Sequence, residues 1–287
     1  MSIKFIGERT FDSRGISLAA KEWGAAGGVP VIALHGWLDN ANSFDRMLPF
    51  LQGLHVIALD MAGHSRSGFR SADSGYDIWQ DIDDIVAVAE QMGWDRFALL
   101  GHSRGAIVSA LVAGTFPDMI THCMLIDSYF PIPAKSGNAA AQLARAITDS
   151  RRFSALSPSA FNSFEDAVQA RVNGFISLQP EAATILAERG VVESEGQFYW
   201  RNDQRLKAAS SVTFTKQQCQ SFFTSITSPI LLIQAQGGLL TGQPIQPQLK
   251  EWVPHIEVVF MQGSHHLHLE DQAQQVAQQA QQFFCYS

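Results

Sequence analysis

Phe97-Ala98-Leu99-Leu100-Gly101-His102-Ser103-Arg104-Gly105-Ala106-Ile107 passes from a short apolar run, through the pattern G-x-S-x-G, into a segment of helical period. The pattern alone is weak evidence, because glycine and serine are common. Its setting gives it weight: Phe97–Leu100 reads as a buried strand, and Ala106, Ile107, Ala110, Leu111 and Ala113 mark one side of a helix. Strand, sharp turn and helix are what a nucleophile elbow requires. Flanking glycines allow the tight turn, and the serine is held in a strained backbone conformation with its hydroxyl exposed. Outside such a setting Ser103 would merely cap a helix.

Working outward, short apolar runs alternate with longer helical segments, the pattern of an α/β protein. Strand-like stretches near Lys4–Phe11 and Ile16–Trp23, joined by Asp12-Ser13-Arg14-Gly15, predict an antiparallel hairpin at the sheet edge. Val29–Leu34, His55–Leu59, Phe97–Leu100 and Ile120–Ile126 read as buried strands, Ala41–Leu51 as a helix and Tyr76–Met92 as a long amphipathic helix. From about Pro131 to Thr227 buried-strand runs disappear, and helical stretches (Ala139–Thr148, Phe164–Asn173, Glu181–Arg189) are separated by Ser/Pro-rich breaks. Alternation resumes with Ile230–Ala235 and Ile256–Met261, and the Gln-rich end closes as a helix over about Gln272–Phe284. The expected organisation is one core domain, residues 1–130 and 228–287, interrupted by a mainly helical insertion over 131–227.

A serine hydroxyl needs a base to remove its proton. That base is expected on the loop after the last strand, where Gly263-Ser264-His265-His266-Leu267-His268 stands, and His265 is the candidate. His268 is assigned a packing role. Three histidines in four positions could suggest a metal, but no acid or cysteine nearby in sequence has the spacing of a metal site, so neither a metal nor a cofactor is expected. His35-Gly36-Trp37-Leu38 follows the first buried parallel strand, where an oxyanion-hole loop belongs, with the backbone N–H groups of Trp37 and Arg104 as donors; the alternative is a simple strand-to-loop turn.

The acid is the difficult member. Its usual place is the loop after Ile230–Ala235, yet no Asp or Glu occurs between Pro229 and Lys250. Asp127, at the end of Ile120–Ile126, is one strand over from the elbow and is the candidate for orienting His265. Its other reading is a strand-end residue that binds loop amides. Asp203 and Glu195 in the insertion are secondary choices, and Glu270 reads as a helix-start residue.

Composition narrows the classes. Twenty Lys and Arg against 27 Asp and Glu give a net charge of −7, and the chain is 46% hydrophobic with only 16% charged residues. That supports a large core and excludes global disorder. An acidic chain without basic blocks is a poor nucleic-acid partner. No apolar run approaches the ~18 residues of a membrane span. The N-terminal MSIKFIGERTF lacks the apolar region of a signal peptide. Three widely spaced cysteines fit free thiols in a reducing cytoplasm, the expected location.

The order Ser103…Asp127…His265, with His35-Gly36 upstream, resembles the α/β-hydrolase superfamily over essentially the whole chain. More narrowly, His35-Gly36-Trp37-Leu38-Asp39-Asn40-Ala41-Asn42-Ser43-Phe44-Asp45 is similar to the serine hydrolase-like protein family. So are Gly63-His64 after Asp60 and Asn202-Asp203-Gln204-Arg205-Leu206. The resemblance implies an α/β-hydrolase fold, a mostly parallel sheet covered on both faces, with a helical cap over the site. It also implies serine-dependent hydrolysis, and Asp127 matches the strand-end acid of members that place it before the cap. Dehalogenases and epoxide hydrolases of the superfamily carry Asp at the elbow, so Ser103 disfavours those reactions.

The expected substrate is a small molecule, a largely apolar carboxylic ester, thioester or lactone cleaved through an acyl-enzyme. Two alternatives stand beside it. Carbon–carbon bond hydrolysis uses the same triad and needs a carboxylate-binding arginine, for which Arg104 and Arg201 are candidates. A non-catalytic ligand-binding homologue is the other, motivated by the absent acid after the insertion. The insertion's Phe153, Phe161, Phe164, Phe175, Phe198, Tyr199 and Trp200 supply either pocket walls or the insertion's own core.

Overall fold

The chain opens with two antiparallel strands, β1 (Phe5–Ser13) and β2 (Ile16–Gly24). Arg14 and Gly15 join them with positive φ values of 49° and 83°, the two-residue turn whose twist matches a hairpin. The computed structural model describes residues 2–134, 136–241 and 247–286. The segments 1–130, 131–227 and 228–287 drawn from the sequence therefore include a few positions, Met1, Lys135, 242–246 and Ser287, outside the described residues.

Six further strands complete an eight-stranded sheet: β3 (Val29–Leu34), β4 (Leu54–Leu59), β5 (Phe97–His102), β6 (Ile120–Ile126), then β10 (Ile230–Gly237) and β11 (Ile256–Ser264) after the insertion. Their order is β1-β2-β4-β3-β5-β6-β10-β11, parallel from β4 onward. The central strands are continuous apolar runs because both faces are covered. Ile32, Leu34, Ile57, Leu59, Leu99 and Leu125 pack on one side beneath α1 (Gln80–Met92) and α2 (Arg104–Thr115). Val31, Ala33, Val56, Ala58, Leu100 and Ile126 face the other side, against the closing helix (Ala273–Tyr286) through Val276, Ala277, Ala280 and Phe283. The strand's period of two thus loads each face in turn. Among the described residues no helix is long and apolar enough to cross a membrane.

One expectation is corrected. Ala41–Leu51 is not an α-helix but two 3₁₀ turns, Ala41–Phe44 and Leu48–Phe50. The buried Ala41, Phe44 and Met47 recur every three residues, the 3₁₀ period, and Pro49 stands where a longer helix would need its amide. Residues 131–227 combine helices with a few short strands. Alongside α3 (Ala139–Ser154), α4 (Phe164–Val172), α5 (Pro180–Gly190) and α6 (Lys216–Thr224) they form a small antiparallel sheet, β7 (Ala160–Phe161), β9 (Gln197–Trp200) and β8 (Val191–Ser194). These strands have two to four residues and mostly exposed or half-buried side chains, so they leave no apolar run in the sequence.

The inserted segment is fastened to the sheet by buried charge. Arg189 of α5 donates through Nε to both carboxylate oxygens of Asp60, at 2.9 and 3.0 Å, and through its terminal nitrogens to Glu8 at 2.9 and 3.0 Å. Asp60 follows β4 and is fully buried. On the other side Tyr76 Oη donates to Asp203 at 2.7 Å, and Arg205 grips the same carboxylate while donating to the carbonyls of Arg70, Ser71 and Ser74. Removing one member of a buried pair strands the other charge. Arg189→Met is expected to destabilise the fold by about 3–5 kcal/mol, read as a shift of the urea midpoint. A loss below 1 kcal/mol would mean that the Ala41 and Arg66 amides, which also donate to Asp60, suffice for it.

Candidate active site

Ser103 sits between β5 and α2 with φ 51° and ψ −116°, a conformation that is costly for a side-chain-bearing residue. The surroundings hold it there. Its N–H donates to the Ile126 carbonyl at 3.0 Å, and its own carbonyl accepts from Ala106 and Ile107. Gly105 explains the close approach of α2, since a Cβ there would lie 2.0 Å from the Leu34 carbonyl oxygen. The backbone tightness is inseparable from the residue types of the motif.

One strand over, Asp127 also has positive φ, 48°, and its N–H donates to the Ile233 carbonyl at 2.8 Å. Its carboxylate is fully buried and accepts three hydrogen bonds: from Ala235 N at 3.0 Å, Leu239 N at 2.9 Å and His265 Nδ1 at 2.6 Å. A carboxylate only accepts, so the proton lies on Nδ1 and Nε2 is left as the basic nitrogen. The end of β10 and the loop after it, which lack an acid of their own, supply the amides that receive Asp127. Gly238 makes room, because a Cβ there would meet Asp127 Oδ2 at 2.1 Å.

His265 is joined to the nucleophile's strand through His102, the residue before Ser103. His102 Nε2 donates to the His265 carbonyl at 3.0 Å, and the two rings lie 4.6 Å apart. The structure therefore brings Asp127, His265 and the Ser103 turn to one edge of the sheet. Arg104 follows Ser103, and Trp37 follows Gly36, where a Cβ would meet His102 Nδ1 at 2.9 Å; the N–H groups of Trp37 and Arg104 donate no hydrogen bond among the described residues. For Arg104, at the first position of α2, this follows from helix geometry.

The remaining candidates fall elsewhere. Asp203 is consumed by Tyr76 and Arg205. Glu195 occupies the exposed β8–β9 turn with φ 52°. Glu270 accepts from Gln179 N at 2.8 Å and from Ser264 Oγ, three residues before the closing helix. Arg104 pairs with Asp81 at 2.5 Å, and Arg201 is exposed. His268 packs its ring 4.3 Å from that of His102 and meets Ser43 Oγ at 2.9 Å.

Sequence reasoning missed a buried polar cluster behind the site. Asp39 meets His266 Nε2 at 3.1 Å and Arg171 Nη2 at 2.8 Å, and His102 Nδ1 stands 3.7 Å from the same carboxylate. Burial alone would raise the Asp39 carboxyl; His266 and Arg171 more than reverse this and hold it well below the usual range. Burial likewise keeps His102 well below its ordinary value. Asp39, His102 and His266 present ligand-type atoms within 4.8 Å of one another. An acid thus does stand beside these histidines, 227 residues from His266 in sequence, where a search of local spacing could not find it. The Arg171 guanidinium already balances Asp39, so the donor set is fitted to an organic cation rather than to a metal ion.

A family model described as the α/β-hydrolase fold matches residues 29–272. Human serine hydrolase-like protein 2 is 30% identical over 88% of this chain and 86% of its own length. The crystal structure of a hypothetical protein from Pseudomonas aeruginosa PAO1 superposes with a TM-score of 0.91 at 40% identity, covering 97% of this chain and 98% of that one. A thioesterase domain from the curacin biosynthetic pathway shares the fold, with a TM-score of 0.84 at 23% identity over 99% of this chain and 100% of that one. The chain belongs to the α/β-hydrolase family and, within it, to the serine hydrolase-like proteins.

Proposed function

We propose that the protein is a serine hydrolase that cleaves a small, largely apolar carboxylic ester, thioester or lactone through an acyl-enzyme. Ser103 is the nucleophile, His265 the general base and then acid, and Asp127 the group that fixes the His265 tautomer and stabilises its cation. Ser103 Oγ bonds to the acyl carbon as His265 Nε2 takes its proton. The same proton passes to the departing alkoxide or thiolate, and water repeats the cycle to release the acid. The amides of Trp37 and Arg104 face the developing oxyanion; one such donor is typically worth about 3 kcal/mol of barrier. Residues 131–227 act as a cap on the core formed by 1–130 and 228–287.

The observation that carries this reading is the 2.6 Å contact between His265 Nδ1 and a buried Asp127 carboxylate, beside a serine held at φ 51°. A binding protein gains nothing from maintaining both. A fluorophosphonate probe is expected to label the wild-type protein at Ser103, located by peptide mass, and to leave Ser103→Ala unlabelled. A folded wild-type protein that resists the probe would overturn the proposal.

A further inference from the structure

A cavity of about 220 Å³ lies between the β3 loop and the inserted segment, lined among others by Trp37, Phe161, Arg171, Phe175, Trp200 and Lys207. We propose that it is a subsite for a small apolar carboxylate, an acid with an aromatic or comparably sized hydrocarbon body. This deepens the hydrolase reading and rests on it only for orientation: Trp37 contributes its ring here and its amide to the proposed oxyanion hole. The cavity would then receive the part of the substrate distal to the scissile carbonyl.

The walls are apolar by construction. Both indole N–H groups are used elsewhere, Trp37 Nε1 donating to the Leu206 carbonyl at 2.9 Å and Trp200 Nε1 to the Ala167 carbonyl at 3.0 Å. Phe175 is 91% exposed, an aromatic ring without cover at this site. An apolar cavity of about 150 Å³ takes benzene, so 220 Å³ accommodates a ring with a short arm.

Charge specifies the end of that arm. No Asp or Glu is among the described lining residues, in a chain whose net charge is −7. Lys207 Nζ is held by a neutral partner, Gln204 Oε1, at 2.7 Å. Arg171 spends one terminal nitrogen on Asp39 and the other on the Ile176 carbonyl at 2.9 Å, and its buried Nε has no partner. Asp39 balances Arg171, so Lys207 is the uncompensated cation among the described lining residues. A cation beside aromatic faces recognises a carboxylate with an apolar body, and the neutral amide of the same shape forfeits the charge term.

The test uses full-length Ser103→Ala, so that no turnover intervenes, titrated with 3-phenylpropionate and with 3-phenylpropionamide. Two of the six tryptophans line the cavity, and their fluorescence reports occupancy. The acid is expected to bind saturably and at least tenfold more tightly than the amide. In Ser103→Ala/Lys207→Gln, checked for fold by circular dichroism, the preference should vanish while amide binding persists. Equal affinities, no saturable change, or a preference that survives Lys207→Gln would each overturn the subsite. Because no hydrolysis is read, failure here is separate from failure of fluorophosphonate labelling.

Discussion

Asp127→Asn is expected to lower kcat for a p-nitrophenyl ester by about 10⁴-fold, the scale seen when the acid of a serine–histidine pair is neutralised in place. Neither orientation of the new amide restores the site. With its NH₂ toward His265, the ring must accept at Nδ1, which puts the proton on Nε2 and removes the base. With its oxygen there, the tautomer is right, but the charge that stabilises imidazolium is gone and the NH₂ faces the Ala235 N–H, now a buried donor without a partner. The second arrangement also costs about 1–3 kcal/mol of stability, so kcat is taken on protein shown to be folded at the assay temperature. Asp203→Asn is the matched control, since Asp203 bonds to Tyr76 and Arg205 and not to His265, and it should retain kcat within about tenfold. Activity of Asp127→Asn within tenfold of wild type would move the acid's role to another residue.

How far the site was legible follows from which of its parts are local. The elbow could be read because its constraint is carried by neighbours in sequence: an apolar strand, two glycines and a helix. Strands β3 to β6, β10 and β11 were legible for the same reason, as doubly buried parallel strands write themselves as apolar runs. Asp127 could be nominated only by elimination. What distinguishes it from any strand-end acid is its reception by the Ala235 and Leu239 amides, more than 100 residues away. The Asp39–Arg171–His266 cluster left no local signal, because its members come from the β3 loop, α4 and the loop after β11. Ala41–Leu51 was misread since apolar spacings of three suit both a helix and successive 3₁₀ turns. The hairpin β8–β9 was missed because half-exposed strands of four residues have too little burial to impose a pattern.

Buried histidines around the site set the second large effect, on stability against pH. His35 is held below its ordinary value, and His64, His102 and His268 well below it, burial being the foremost cause in each. Each stays neutral in the fold and is protonated on unfolding below about pH 6.5. The unfolded chain then binds more protons, so stability falls as pH falls, until pH reaches the folded-state values. Each of the four contributes a loss in the same direction over the same range, so their effects add. Asp45 and Asp84 oppose this, since burial raises both and the fold takes up their protons first, but only as pH nears the carboxylate range. Asp39, held low, adds to the loss there. Urea midpoints should therefore be level between about pH 7 and 8 and drop steeply from pH 6.5 to 5.5. His268→Asn, which removes one of the four, should lower the slope by about a quarter. A midpoint unchanged at pH 5.5 would mean that these rings are protonated in the fold. His102 would then carry its charge within 3.7 Å of Asp39, and the cluster behind Ser103 would be an ion network rather than a neutral wedge that sets the position of His265.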